Sequence, residues 1–338
     1  MINLNSQDFK RIYNKMADEE SKYIFSNRIL YSITEDSKYI LNLIDLDKFR
    51  KKLKDLSNSG KKIIAFGAGK FGRSIVEYFD DFKWECFVDN YIKTEILNLK
   101  VITIEELKEK YLDDIIVITS NVFSKEIYHQ LIDNGFAPQN IINFIEEYEK
   151  ENRYKQYFEF PPEGNEQESF VDAGAYDGET SKKFVEWCNG NYSKIWAFDP
   201  DLENYELCMK NLKLNNCYIY NMGVFNKDGI LKFNAGLKKS SSISENGDTE
   251  IKTVKLDNIL KEENVTFIKM DIEGAELAAL EGAKNIITEQ KPRLAICVYH
   301  KPEDIIEIPR LLLEYNPEYN FRLRHYSCSM CETVLYAF

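Results

Sequence analysis

The chain has no run approaching the roughly 18 consecutive apolar residues that cross a bilayer, and Met1 to Lys15 holds no continuous apolar stretch. A membrane span and a secretory leader are therefore not expected, and a soluble, cytoplasmic setting is. Basic charge is also short: 44 lysines and arginines face 56 acids, for a net charge of -12. A polyanion would meet repulsion in place of counterion release, so nucleic acid is not an expected partner. Histidine occurs only three times, at His129, His300 and His325. Cysteine gives no disulfide framework, since its count of seven is odd and five of the seven lie in apolar segments, as small core residues do. Cys328 and Cys331 form the single C-x-x-C, with His325 just before them. A structural zinc wants four ligands, no second pair exists, and no metal is expected.

What is present is length and pattern. With 338 residues, 44% of them hydrophobic, the chain can bury two cores. Residues 1–60 carry apolar positions at helical spacing, among them Ile24, Phe25, Ile29, Phe49 and Leu53, and read as a helical cap or a homodimerisation surface. From Lys61 the pattern alternates. Ile63–Phe66, Trp84–Val88, Ile115–Thr119 and Ile141–Phe144 read as strands, with helices over Lys70–Phe79 and Val122–Asn134. Residues 61–146 are thus expected to form one Rossmann-like domain, and the charged segment 147–168, with Pro161, Pro162 and Gly164, a linker.

Alternation then resumes over residues 169–338. Strands are expected at Phe170–Asp172, Ile195–Phe198, Cys217–Tyr220, Val265–Met270 and Leu294–Val298, helices at Gly178–Cys188 and Leu202–Leu214, and a hairpin at Phe225–Asn234. Two closing runs, Tyr319–His325 and Thr333–Phe338, are joined too briefly to pair other than antiparallel. The expected class is α/β: two doubly wound Rossmann-like domains, the second ending in an antiparallel hairpin, behind a short helical segment.

Three strand ends carry the chemistry. Val171-Asp172-Ala173-Gly174-Ala175-Tyr176-Asp177-Gly178 is a strand, turn and helix start in which Gly174 and Gly178 let a ligand lie against the main chain. Asp172, at the carboxyl end of its strand, could hold the ammonium of an amino-acid-like ligand. Phe198-Asp199-Pro200 places a carboxylate where it could accept from both hydroxyls of an adenosine ribose. Ile268-Lys269-Met270-Asp271-Ile272-Glu273-Gly274-Ala275-Glu276 runs a buried strand into three acids; Asp271 and Glu273 read as functional, Glu276 as a helix-dipole partner. A mouth lined by Asp172, Asp199, Asp271 and Glu273 suits a sulfonium cation and is hostile to a pyrophosphate.

Those blocks, with the terminal LRHYS and ETVLYAF, resemble the FkbM family of methyltransferases in content and order, over about half the chain. The resemblance implies the seven-stranded methyltransferase fold, S-adenosylmethionine as donor, and transfer to an oxygen, often a sugar or polyketide-like hydroxyl. It assigns the methionine side of the donor to Asp172, Gly174 and Gly178 with Ala175 and Tyr176 between them, and the ribose to Asp199. Many relatives have Glu where this chain has Asp199.

Transfer to a weakly acidic hydroxyl calls for a base. His300, directly after the strand Ala295–Tyr299, is the expected one. Asp271 and Glu273 are rival bases, or paired ligands of a divalent metal. His129 reads as surface. His325 and Arg324, near Arg322, could contact the acceptor, as could Ser241 in the polar segment Lys238–Gly247. The acceptor is expected to be a small molecule or carbohydrate, such as a nucleotide-linked sugar.

The first domain opens with Gly67-Ala68-Gly69-Lys70-Phe71-Gly72, a G-x-G-x-x-G after a strand, and Asp89 follows at the end of the next strand. That is the spacing of a dinucleotide site, Asp89 being placed for a ribose hydroxyl. NAD(P), another nucleotide or a nucleotide sugar could bind there, and a dinucleotide-dependent oxidoreductase or a nucleotide-sugar-binding protein acting through this domain is the alternative function.

Overall fold

The computed structural model describes residues 6–162, 167–234, 242–243 and 249–338. The chain forms two units. One comprises Met1–Phe25, Lys155–Arg324 and Glu332–Phe338, and the other Ser26–Tyr154 and His325–Cys331. The helical block expected over 1–60 is thus divided within the helix Glu19–Thr34. Part of the expected linker is structured: Phe144–Asn152 is a helix whose Asn143 side chain caps Glu146 N at 3.3 Å. Phe144 and Ile145 are buried there, with Tyr148 packed against the same core. The charges between them mask that stripe in the sequence.

In the unit 26–154, five strands form a parallel sheet: β1 (Ile63–Phe66), β2 (Trp84–Val88), β3 (Val101–Ile102), β4 (Ile115–Ile118) and β5 (Ile141–Ile142), in the order β3-β2-β1-β4-β5. Every residue of β1 is buried, yet alternate ones serve different cores. Ile63 and Ala65 join Phe49, Leu53, Ile75 and Val76 of two helices. Ile64 and Phe66 join Leu107, Ile127 and Leu131 of two others. Side-chain alternation with helices on both faces makes the sheet doubly wound. The short β3 and the helix Ile104–Tyr111, capped by Thr103, have no counterpart among the sequence expectations; two residues are too few to show a period.

The other unit contains β6 (Glu168–Ala173), β7 (Tyr192–Phe198), β8 (Cys217–Tyr220), β9 (Gly223–Val224), β10 (Gly229–Asn234), β11 (Ser242–Ile243), β12 (Thr249–Val254), β13 (Phe267–Met270), β14 (Arg293–Cys297), β15 (Phe321–His325, whose last residue groups with the other unit) and β16 (Thr333–Ala337). Seven make one sheet, in the order β15-β16-β14-β13-β6-β7-β8. The pairings among β14, β13, β6, β7 and β8 are parallel, while β16 runs antiparallel to β14 and lies beside β15. The expected doubly wound sheet with a reversed final strand is present. The expected hairpin at Phe225–Asn234 is instead one strand, β10, paired antiparallel with the distant β12 in a four-stranded sheet β11-β10-β12-β9.

Packing fixes the second sheet from below. Phe170 of β6 stacks on Phe184 at 4.4 Å between centroids, and Phe267 and Trp187 lie 5.3 Å apart. The helix Asp304–Tyr315 tolerates Pro309 while burying Ile305, Ile308, Leu312 and Leu313. No helix among the described residues is long and apolar enough to cross a membrane.

Candidate functional site

The register of β6, β7 and β13 brings their carboxyl ends level: Lys269 lies opposite Asp172, and Asp172 opposite Ala197. The loop after β6 turns by left-handed residues, Gly174 and Gly178 both at φ +81° and Tyr176 at φ +50°. A Cβ at Gly174 would run into the Asp271 carbonyl, so this glycine lets the first and third motifs meet. Gly174 N and Ala175 N both donate to Phe198 O, at 2.9 and 3.0 Å, which ties the loop to the end of β7.

Asp172 does not face an open site. It is wholly buried, its Oδ1 lies 3.1 Å from Lys269 Nζ, and its Oδ2 accepts from Ser181 Oγ at 2.8 Å. The expected ammonium receptor is therefore already paired within the chain. Lys269 also donates to the carbonyls of Ala173 (3.1 Å) and Gly174 (2.7 Å). Burial pulls its ammonium down, but the Asp172 and Asp271 carboxylates outweigh this and hold it above the ordinary lysine range.

Asp199 accepts from Tyr176 N (2.9 Å), Asp201 N (3.0 Å) and Asn204 Nδ2 (3.3 Å). It is 5% exposed. Burial pushes its carboxyl up to about 6 against those three bonds. About one of a carboxylate's roughly four acceptor sites is left.

The third motif gathers around His300. Its Nε2 lies 3.4 Å from Asp271 Oδ1 and 3.5 Å from Glu273 Oε2, and its Nδ1 lies 3.0 Å from Glu276 Oε1. These are charge contacts, because neither ring nitrogen has an aligned hydrogen-bond partner among the described residues. Asp271 is further held by Tyr157 Oη at 2.7 Å and Tyr299 Oη at 3.2 Å. Burial disfavours a charged His300, but Glu276, then Asp271 and Glu273, raise it to about 9. A ring charged at neutral pH has no lone pair for a proton, so His300 is not poised as the expected base. Burial and the neighbouring carboxylates Asp271 and Glu276 push Glu273 up to about 7, although His300 opposes the shift. Asp271 stays low: burial acts to raise it, but Lys269, His300 and the Tyr157 hydroxyl prevail.

The other expected acceptor contacts are elsewhere. Arg324 is committed to Asp18 (2.9 Å), Glu159 (2.8 Å) and Glu20 (3.2 Å). Arg322 lies over the Phe160 ring at 4.4 Å. His325 belongs to the unit 26–154, where burial and then Arg28 push it down to about 3, leaving a neutral buried ring. Ser241 lies outside the described residues. His129 is exposed on its helix, as expected.

Sequence reasoning missed four participants: Lys269, Glu276, Tyr157 and Tyr299. Lys269 had a visible signal, a lysine inside an otherwise apolar strand. Tyr157 has none, since it comes from the charged segment 147–168, whose composition is that of a linker.

In the other unit, Gly67 (φ +119°) and Gly72 are packing glycines, their Cβ positions blocked by Thr119 O and Gly67 O. A Cβ at Gly69 would meet nothing within 4 Å among the described residues. Asp89 ties the glycine loop to its own, accepting from Ala68 N of the first and from Tyr91 and Ile92 N of the second, each at 2.9 Å. Burial would raise its carboxyl, but these bonds hold it below the usual range. A cavity of about 760 Å³ lies against this loop, bordered by Gly69, Lys70, Asn90, Tyr91, Ser120 and Phe123.

Residues 172–323 match the family described as the methyltransferase FkbM domain, and residues 59–142 the one described as C2185-like, N-terminal. Among solved structures, the chain is similar to methyltransferase FkbM from Methylobacillus flagellatus KT, at 18% identity and a TM-score of 0.54, over 95% of this chain and 99% of that one. A weaker likeness is to Aeropyrum pernix fibrillarin in complex with natively bound S-adenosyl-L-methionine, at 9% identity and a TM-score of 0.33, over 52% and 67% of the two chains. No curated protein matches.

Proposed function

Residues 172–323 being an FkbM-family methyltransferase domain, we propose that the chain transfers a methyl group from S-adenosylmethionine to a hydroxyl of a sugar or nucleotide-linked sugar. The observation that carries this reading is the meeting, at one sheet edge, of the Gly174 loop with Asp199 on one side and the Asp271, Glu273, Glu276 and His300 cluster on the other. Bound S-adenosylmethionine supplies a methyl group on a positively charged sulfur. The chain's own residues do the rest.

Asp199 receives a ribose hydroxyl, and the Asn204 contact, at 3.3 Å the longest of its three, is the one such a hydroxyl displaces. The residues fit the donor in this respect, since a buried carboxyl pushed up to about 6 gains from further hydrogen-bond donors. Lys269 fixes the Gly174 carbonyl and so the loop on which the methionine end would lie. Because Asp172 is spent on Lys269, the ammonium of that end falls to other acceptors of the loop. Glu273 is the most exposed member of the cluster, its side chain 33% accessible against 24% for Asp271 and none for Glu276. It would take the hydroxyl proton as the carbon–oxygen bond forms and the methyl carbon's bond to sulfur breaks, the sulfur leaving as a neutral thioether, and alignment of the acceptor oxygen contributes most of the acceleration.

The test is incubation of the purified chain with methyl-labelled donor and a panel of sugars and nucleotide sugars, read by mass spectrometry. Label on a sugar oxygen is expected. Labelling confined to nitrogen or carbon acceptors would end the oxygen assignment.

A second reading concerns the unit 26–154. Its cavity of about 760 Å³ beside the open Gly69 suits a nucleotide or nucleotide sugar. An NAD(P) oxidoreductase is the rival occupant, since Asp89 also lines the cavity and, like Asp199, carries three hydrogen bonds. Calorimetric titration with a uridine diphosphate sugar and with NAD(P) separates the two.

A further inference from the structure

Two negative side chains and an imidazole converge in the methyltransferase unit with part of their bonding capacity unused. One donor atom from each of Asp271, Glu276 and His300 lies within 4.8 Å of the other two. Ligands about 2.1 Å from a six-coordinate ion stand roughly 3 to 4.2 Å apart; Asp271 and Glu276 lie against opposite nitrogens of the His300 ring, so all three share one ion once the side chains shift to present one ring nitrogen to both carboxylates. Glu276 is wholly buried, and while its Oε1 accepts from Ile272 N at 2.8 Å, its Oε2 has no hydrogen-bond partner among the described residues. A buried carboxylate oxygen left so is costly unless something cationic meets it. The His300 side chain is 9% exposed, and neither ring nitrogen makes an aligned hydrogen bond with any of the described residues. Lys269, the other buried cation here, is spent on Asp172 and two carbonyls. The backbone holds the three in place: Asp271 directly follows β13, Glu276 opens the helix Glu276–Glu281, and His300 follows β14.

We propose that Asp271, Glu276 and His300 bind one divalent cation of the manganese class. Carboxylates favour magnesium, calcium and manganese, imidazole favours later transition metals, and manganese accepts both donors. The cation takes the place of a proton on the His300 ring. On the methyl-transfer reading, on which this rests, its open positions receive the acceptor hydroxyl oxygen and ease loss of the hydroxyl's own proton to Glu273, the His300 ring proton having gone to solvent when the ion bound.

The purified full chain, without donor or acceptor, is titrated with Mn²⁺ and the free ion followed by electron paramagnetic resonance. One ion per chain is expected, displaced by competing divalent metal. Glu276→Gln and His300→Asn should each weaken it by at least about tenfold, while Asp199→Asn leaves it unchanged, and thermal melts show which variants fold. If Glu276→Gln does not fold, His300→Asn alone carries the comparison. No saturable binding at millimolar ion, or binding unchanged in the folded variants, overturns the site. Donor binding measured by calorimetry on the same samples reads the methyl-transfer proposal separately.

Discussion

Lys269 Nζ and Asp172 Oδ1 form an ion pair 3.1 Å long, across neighbouring parallel strands, with side chains 2% and 0% accessible. The same ammonium binds the Gly174 carbonyl at 2.7 Å, so one buried charge both neutralises an acid and sets the shape of the glycine loop. Such a pair adds little net stability over an apolar substitute, but removing one member strands the other.

Lys269→Met should therefore destabilise the chain by about 3 to 5 kcal/mol. Adding Asp172→Asn should recover part of that loss. Denaturant unfolding of the single and double variants checks this; a single variant as stable as the parent would refute the enclosed pair.

Asp199 titrates unusually. Its folded value of about 6 lies above an unfolded value of about 3.9, so its contribution to stability is fully present below the unfolded value and is lost as pH rises through 6. The loss is at most roughly 3 kcal/mol, read as the difference between parent and Asp199→Asn melts from acid to neutral pH. Donor affinity should run the other way, falling below pH 6 as the carboxyl protonates. Asp199→Ala should weaken donor binding at neutral pH by roughly 1.5 to 3 kcal/mol.

Gly174→Ala combines a left-handed backbone at φ +81° with a Cβ aimed at the Asp271 carbonyl. We expect a lower melting temperature and weakened donor binding together, since the loop must lift off the third motif. A variant that melts as the parent does would mean the loop has slack.

Glu273→Gln should lower turnover by roughly 10²- to 10⁴-fold with donor affinity kept. Single-turnover kinetics with labelled donor, beside calorimetry, give both quantities. Turnover at the parent rate would remove Glu273 as base.

The strand ends were legible because a short apolar run followed by glycine or acid marks its own terminus: Phe198-Asp199, Met270-Asp271 and the loop at Gly174 all lie where the sequence puts them. Which way a carboxylate faces was not legible. Asp172 reads as available in the sequence, but Lys269, one strand over in space and 97 residues on in sequence, lies against it. The protonation of His300 was hidden for the same reason, as it depends on Glu276, a residue read as a helix-dipole partner. Arg324 looked free at the end of a strand, yet its partners Asp18 and Glu20 come from the first turns of the chain.

That last contact belongs to a wider arrangement. Ala17 N donates to Phe321 O and Phe321 N to Lys15 O, each at 2.8 Å, and Ile12, Met16 and Phe25 are core residues. The chain passes between its two units four times, near residues 25, 154, 324 and 331. Neither unit is a contiguous cassette, so a fragment beginning at 155 would lose part of its own interior, and a cut at any one junction would not release a self-sufficient half. Transfer of the methyltransferase portion alone into another gene, by recombination or by cloning, would leave its apolar seam for residues 12–25 open to water.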